Sequence, residues 1–195
     1  MDMMIFLRRI IVWMSRICYC RGFGIQSPND YAFVRYVINE HYPYYAYSDL
    51  IRAYPGIDSE RRRVCEFYLR LANHLQPSII ANFHDESCFE SYLRAGCSSA
   101  DILCDVDACG SVNLAILPLC DKPRSYYAPL CEEIMNRMTG KSVLVLHGIH
   151  SNREARNFWR MIQSDGRVGV TFDLYYLGVV FFDTKRYKHN YIVNF

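Results

Sequence analysis

From Pro77 onward the sequence alternates short apolar β-type runs with stretches of helical periodicity, and this alternation constrains the fold most. Ser78 to Phe83, Asp101 to Val106, Val112 to Leu117 and Ser142 to His147 are the apolar runs. Glu86 to Arg94, Ser125 to Met138 and a segment opening at Ser151 are the helical ones. Strands separated by helices join through right-handed crossovers, pair in parallel and need helices on both faces. The tail departs from this pattern. Val168 to Leu174 alternates strictly, Leu177 to Phe182 is apolar, and Tyr191 to Phe195 is again strand-like. The expected fold is therefore α/β, a three-layer α/β/α sandwich with a mostly parallel sheet and an antiparallel C-terminal hairpin.

The first 76 residues read as a helical region packed on a core formed by residues 77–195, one structural domain overall. Ile5 to Ile17 is an amphipathic helix whose apolar face should pack on the body or on a second subunit. Ser27-Pro28-Asn29-Asp30 is a capping box with proline at the first helical position. Phe33, Val34, Val37 and Ile38 follow at helical spacing. His41 to Pro55, with five tyrosines and two prolines, reads as an irregular loop. Ser59 to Leu75 is a helix with Val64, Phe67, Tyr68, Leu71, Ala72 and Leu75 on one face. Arg61-Arg62-Arg63 opposes that helix's dipole and reads as a solvated face or a partner contact. Ser151-Asn-Arg-Glu154 is a second capping box, ahead of Ala155, Phe158, Trp159 and Ile162.

With 195 residues, 51% hydrophobic and 22% charged, the chain can bury a core without staples. A net charge of +2 announces no nucleic-acid partner. No apolar run reaches the roughly 18 residues of a membrane span, and no membrane is expected. Nine cysteines without a C-x-x-C pair give no zinc framework, and no metal site is expected. They read as reduced thiols in a cytoplasmic protein. His84 and Cys88 lie close in sequence, but nothing identifies a third group to orient a nucleophile.

Several stretches resemble a bacterial group of class I S-adenosylmethionine-dependent methyltransferase-like proteins. Gly22-Phe-Gly-Ile-Gln-Ser-Pro28 is similar to its G-[IV]-H-S-P-F signature. Pro77-Ser-Ile-Ile80 is similar to the approach to the first strand, Ser142 to His150 to the fifth strand with a D-D-I-H-W turn, and Arg167 to Phe182 to the closing hairpin. The resemblance implies a Rossmann-like core, truncated here between its first and fourth strands. It also implies methyl transfer from S-adenosylmethionine to an oxygen or nitrogen nucleophile. His150 would be the general base, unless it is a helix-start histidine bonded to backbone.

The departures from that pattern cluster at strand ends. Such enzymes close the first strand with an acid and a glycine-rich turn, whereas Ala81-Asn-Phe-His-Asp-Glu-Ser-Cys88 stands here. Asn82 replaces the acid, and His84 and Cys88 replace two glycines, removing their conformational freedom. Asp105 and Asp107 are the candidates for holding the cofactor's ribose. Leu117-Pro118-Leu119 replaces an aspartate at the fourth strand. His147-Gly148 replaces the Asp-Asp that is similar to the metal pair of catechol-type O-methyltransferases, so the hard oxygen ligands of a Mg²⁺ site are gone. The expectation is a degenerate methyltransferase fold in which cofactor binding is doubtful. The alternative is a cofactor-free pseudoenzyme, a homodimer or protein-binding module using the N-terminal helix and the Tyr42–Tyr54 loop.

Overall fold

The computed structural model describes residues 10–105, 110–120, 122–185 and 187–195, without the side chains of residues 20 and 21. The chain is helical over residues 10–15 and forms a 3-10 segment at Ile17–Gly22. Helix α1, Pro28–Phe33, runs directly into a π-helical turn at Val34–Ile38. Then come α2, Tyr45–Ala53, and α3, Ser59–Leu75. The sheet begins with β1, Ile79–Asn82, followed by α4, Ser87–Gly96, β2, Asp101–Leu103, and β3, Val112–Pro118. Helix α5, Arg124–Asn136, leads to β4, Met138–His147, and α6, Arg153–Ser164, leads to β5, Val170–Asp173. Strands β6, Leu177–Phe181, and β7, His189–Ile192, complete it.

The seven strands form one sheet in the order β2-β1-β3-β4-β6-β5-β7. Strands β2, β1, β3 and β4 are mutually parallel, β6 is antiparallel to both β4 and β5, and β7 adds in parallel to β5. The α/β fold with an antiparallel end is thus the observed architecture. One face carries a core of Phe33, Val37, Phe67, Tyr68 and Phe89 over Ile80, Leu114, Ile116 and Val145. The other carries Tyr127, Cys131, Phe158 and Trp159 over Ala81, Ala115, Leu117 and Leu146. Sheet residues alternate between the two faces because successive side chains of a strand point oppositely, and three layers result. Strand order turns around between β1 and β3, so a crevice is expected above their carboxyl ends.

Local chemistry explains the boundaries. The oxygen of Ser27 accepts from the Asp30 amide, as expected, but the Asp30 carboxylate is engaged by the Tyr191 hydroxyl across the molecule. Helix α3 spans the expected Ser59 to Leu75, with Asp58 capping the amides of Glu60 and Arg61. It ends at Gln76 in a left-handed conformation. Asn152, not Ser151, caps α6, through the Ala155 amide. The expected irregular stretch from His41 to Pro55 contains α2. Its Tyr47 and Tyr54 are anchored, the first accepting from Arg70 and the second bonded to Ser91. Helix α5 stops earlier than its periodicity suggests, because Met138 already pairs with Val112 as the start of β4. Gly96 lets α4 close onto α3, since a Cβ there would overlap the Leu69 carbonyl.

Candidate crevice and the His150 site

The crevice above the β1/β3 turnaround is bounded by the segments following β1, β3 and β4. Asn82 ends β1 nearly buried, and its side-chain oxygen accepts from the His84 amide, folding the chain sharply back. That turn carries the His84 ring over the end of the sheet. There it stacks on Phe89 of α4, with centroids 4.0 Å apart. His84 Nε2 lies 3.3 Å from the hydroxyl of Tyr68 and 3.2 Å from Nδ1 of His147, the last residue of β4. The two histidines start from strands on either side of β3 and meet above it.

Burial pulls the His84 pKa down to about 3, helped by His147 and the charge of Arg61. His84 is therefore neutral at physiological pH. Burial also raises Tyr68 well above the usual phenol range, so its hydroxyl stays protonated. Two further ties cross the same rim. Lys122, after β3, reaches Asp85 at 3.2 Å, and Cys120 packs against Gly148, whose φ of +86° suits glycine. Cys88 lies 3.8 Å from a Glu86 carboxylate oxygen. Burial raises both it and neighbouring Cys65 above the ordinary thiol range, so neither is an activated nucleophile.

His150 forms a separate site at the same sheet edge. It lies in the turn after β4, and its Nε2 is 2.9 Å from Oδ2 of Asp173, the last residue of β5. The bond goes to a carboxylate, not to backbone. Asp173 Oδ1 accepts from Arg16 at 2.8 Å and from the Tyr175 amide at 2.9 Å, and Arg16 also donates to the Asp173 carbonyl at 3.0 Å. The Tyr175 ring stacks on His150 with the Arg16 guanidinium beside it. Burial alone would raise the Asp173 carboxyl. The His150 hydrogen bond and the Arg16 charge outweigh it and hold the carboxyl below the usual range. Neither Arg16 nor Asp173 stood out in the sequence, because 157 residues separate them.

Asp105 is exposed two residues beyond β2, and Asp107 lies outside the described residues. Arg61, from the basic triplet, pairs with Glu86 at 2.9 Å. Among the described residues no group of three histidine, cysteine or acidic side chains is placed to hold a metal ion. Among the described residues Cys18, Cys65, Cys88, Cys97, Cys104 and Cys131 stand outside any disulfide.

The sheet order, the turnaround crevice and the antiparallel end define a Rossmann-like fold of the methyltransferase type. Among solved structures the chain is similar to the methyltransferase PaMTH1 of Podospora anserina, determined with S-adenosylhomocysteine bound. The TM-score is 0.52 at 10% identity, over 81% of this chain and 96% of that one. No family profile and no curated protein matches the sequence.

Proposed function

We propose that this chain is a methyltransferase-fold protein whose S-adenosylmethionine crevice is filled by its own side chains, leaving a catalytically degenerate binding protein. One observation carries the reading: His84 and His147 meet above the end of β3, where a cofactor would lie at the sheet's turnaround. The segment from Phe83 to Glu86 has no glycine to bring backbone amides against a ligand, and the ring at His84 occupies the space such an approach would use. The residues present do not fit the cofactor.

A second reading keeps catalysis and rests on the His150–Asp173 bond. With Nε2 donating to the carboxylate, Nδ1 is left to accept a proton from a substrate, and Asp173 would steady the charge that the ring then carries. The same carboxylate also bonds Arg16, so this cluster equally serves to fasten the N-terminal segment to β5.

Thermal unfolding with S-adenosylhomocysteine separates the two readings. The wild-type protein should show no ligand-dependent shift, while His84→Ala, which empties the stacked position, should gain one. A clear shift of the wild-type midpoint would sink the degenerate reading, and His150→Gln activity would then test the second.

A further inference from the structure

Three donor atoms from separate elements converge above the end of β3. His84 Nε2, in the turn after β1, lies 3.2 Å from Nδ1 of His147, which ends β4, and 3.3 Å from the hydroxyl of Tyr68 on α3. Hydrogen bonding alone serves this trio poorly. One ring nitrogen has either a single lone pair or a single proton to offer, yet His84 Nε2 faces two partners. Both separations exceed the roughly 2.9 Å usual for a nitrogen donor. They do suit a metal ion. Zinc–imidazole bonds of about 2.0–2.1 Å, set at the tetrahedral angle, hold neighbouring donors about 3.3 Å apart.

The surroundings prepare these groups for a cation. Burial keeps His84 neutral, and a neutral imidazole has one bare nitrogen with which to ligate. Stacking on Phe89 at 4.0 Å fixes the His84 ring, and the Asn82 side chain fixes the turn beneath it. The Leu119 amide, donating to the His147 carbonyl at 2.8 Å, fixes the end of β4. Supports of this kind around the ligands hold a metal site in geometry. Arg61, whose charge His84 feels, is already paired with Glu86 at 2.9 Å. Tyr68 is fully buried and closes the inner side, while His84 and His147 keep partial exposure, so an ion can enter from the crevice. Two imidazoles and a phenol oxygen favour Zn²⁺ over Mg²⁺, which asks for carboxylates and waters. Because the third donor is a phenol, cysteine and carboxylate spacing carries no sign of the site.

We propose that His84 Nε2, His147 Nδ1 and the Tyr68 oxygen bind a zinc ion at the crevice, with the fourth position open to solvent. This revises the expectation of no metal site, and it rests on the reading that these side chains, rather than a cofactor, fill the crevice. The test is titration of the full chain, freed of metal with a chelator and kept reduced with a phosphine, by Co²⁺ and then Zn²⁺. Co²⁺ should bind at one ion per chain with the visible bands of a tetrahedral site and without thiolate-to-cobalt bands, and Zn²⁺ should displace it. His84→Gln and His147→Gln should each weaken binding at least about tenfold, and Tyr68→Phe about tenfold. Excess Mg²⁺ should not compete. Should a variant fail to fold, histidine ring spectra of the wild-type protein decide, since Zn²⁺ should shift the signals of His84 and His147 and leave His150 unmoved. No binding, thiolate bands, or binding insensitive to both histidine variants would overturn the proposal. Repeating the S-adenosylhomocysteine melt on the same metal-free sample separates the two claims. A ligand-dependent shift there would sink the reading of the crevice, whereas no shift together with no metal binding would sink the metal site alone.

Discussion

Replacing Asp173 with asparagine keeps the side-chain shape and removes the charge that joins Arg16, His150 and the Tyr175 turn. The carboxylate accepts three hydrogen bonds, from Arg16 Nη2, His150 Nε2 and the Tyr175 amide. The Asp173 and Arg16 side chains are 9% and 11% exposed. Asparagine offers one acceptor oxygen and turns an NH₂ donor toward one of these donors, leaving the Arg16 guanidinium buried without its counter-ion. Removing one partner of a buried pair costs about 3–5 kcal/mol, and a retained neutral acceptor moves the expectation to about 3 kcal/mol. Urea unfolding at pH 7 should show this as a lower midpoint with unchanged slope. A cycle with Arg16→Met should be less than additive by about 2 kcal/mol, because the double variant has no stranded charge. The pH dependence has a fixed sign. A carboxyl held below its unfolded value contributes stability that is fully present above about pH 4 and is lost as the pH falls through its folded value. Wild type and variant should therefore converge in acid. A loss under about 0.5 kcal/mol, additive with Arg16→Met, would refute the account of this cluster.

Three further outcomes follow from the structure. His84, neutral in the fold with a pKa of about 3, takes up a proton on unfolding below about pH 6.5. Stability should thus fall between those values, and His84→Gln should flatten the slope in urea midpoints taken across that range. Arg70, buried on α3, donates to the carbonyls of Val37 and Ile38 and to Tyr47. Arg70→Met should cost about 3 kcal/mol and raise amide exchange in α1 and α2 first, as two carbonyls lose their donor. Gly96→Ala should destabilise by about 1–3 kcal/mol in thermal melts, because the added methyl overlaps the Leu69 carbonyl.

Much of the scaffold was legible in the sequence because burial imposes its own period. The runs around Ile80, Leu114 and Val145 lie within buried strands. The face of Val64, Phe67, Tyr68, Leu71 and Ala72 lies within α3, as its spacing indicates. What the sequence hid was decided by neighbours distant along the chain. The tyrosine-rich stretch reads as a loop because its prolines and aromatics mask α2, which is anchored by Arg70 and Ser91. The cap of α6 lies one residue on from the expected Ser151, at Asn152, where adjacent polar residues compete for the same role. At the candidate site, His84 and Asn82 were visible as departures from a glycine-rich turn, and His150 as a residue at a strand end. Their partners Tyr68, His147, Asp173 and Arg16 come together only through the crossovers and the antiparallel hairpin. Periodicity carries no record of which strand ends converge.

The central claim, that the crevice is closed by its own side chains, is tested most directly by isothermal titration of the purified chain with S-adenosylmethionine and S-adenosylhomocysteine. The account predicts no saturable heat up to millimolar ligand. It also predicts no stabilisation, where true binding at a hundredfold excess over the dissociation constant would add about 2.7 kcal/mol. Saturable micromolar binding of either ligand would contradict it, because His84 and His147 would then have to part to admit the cofactor.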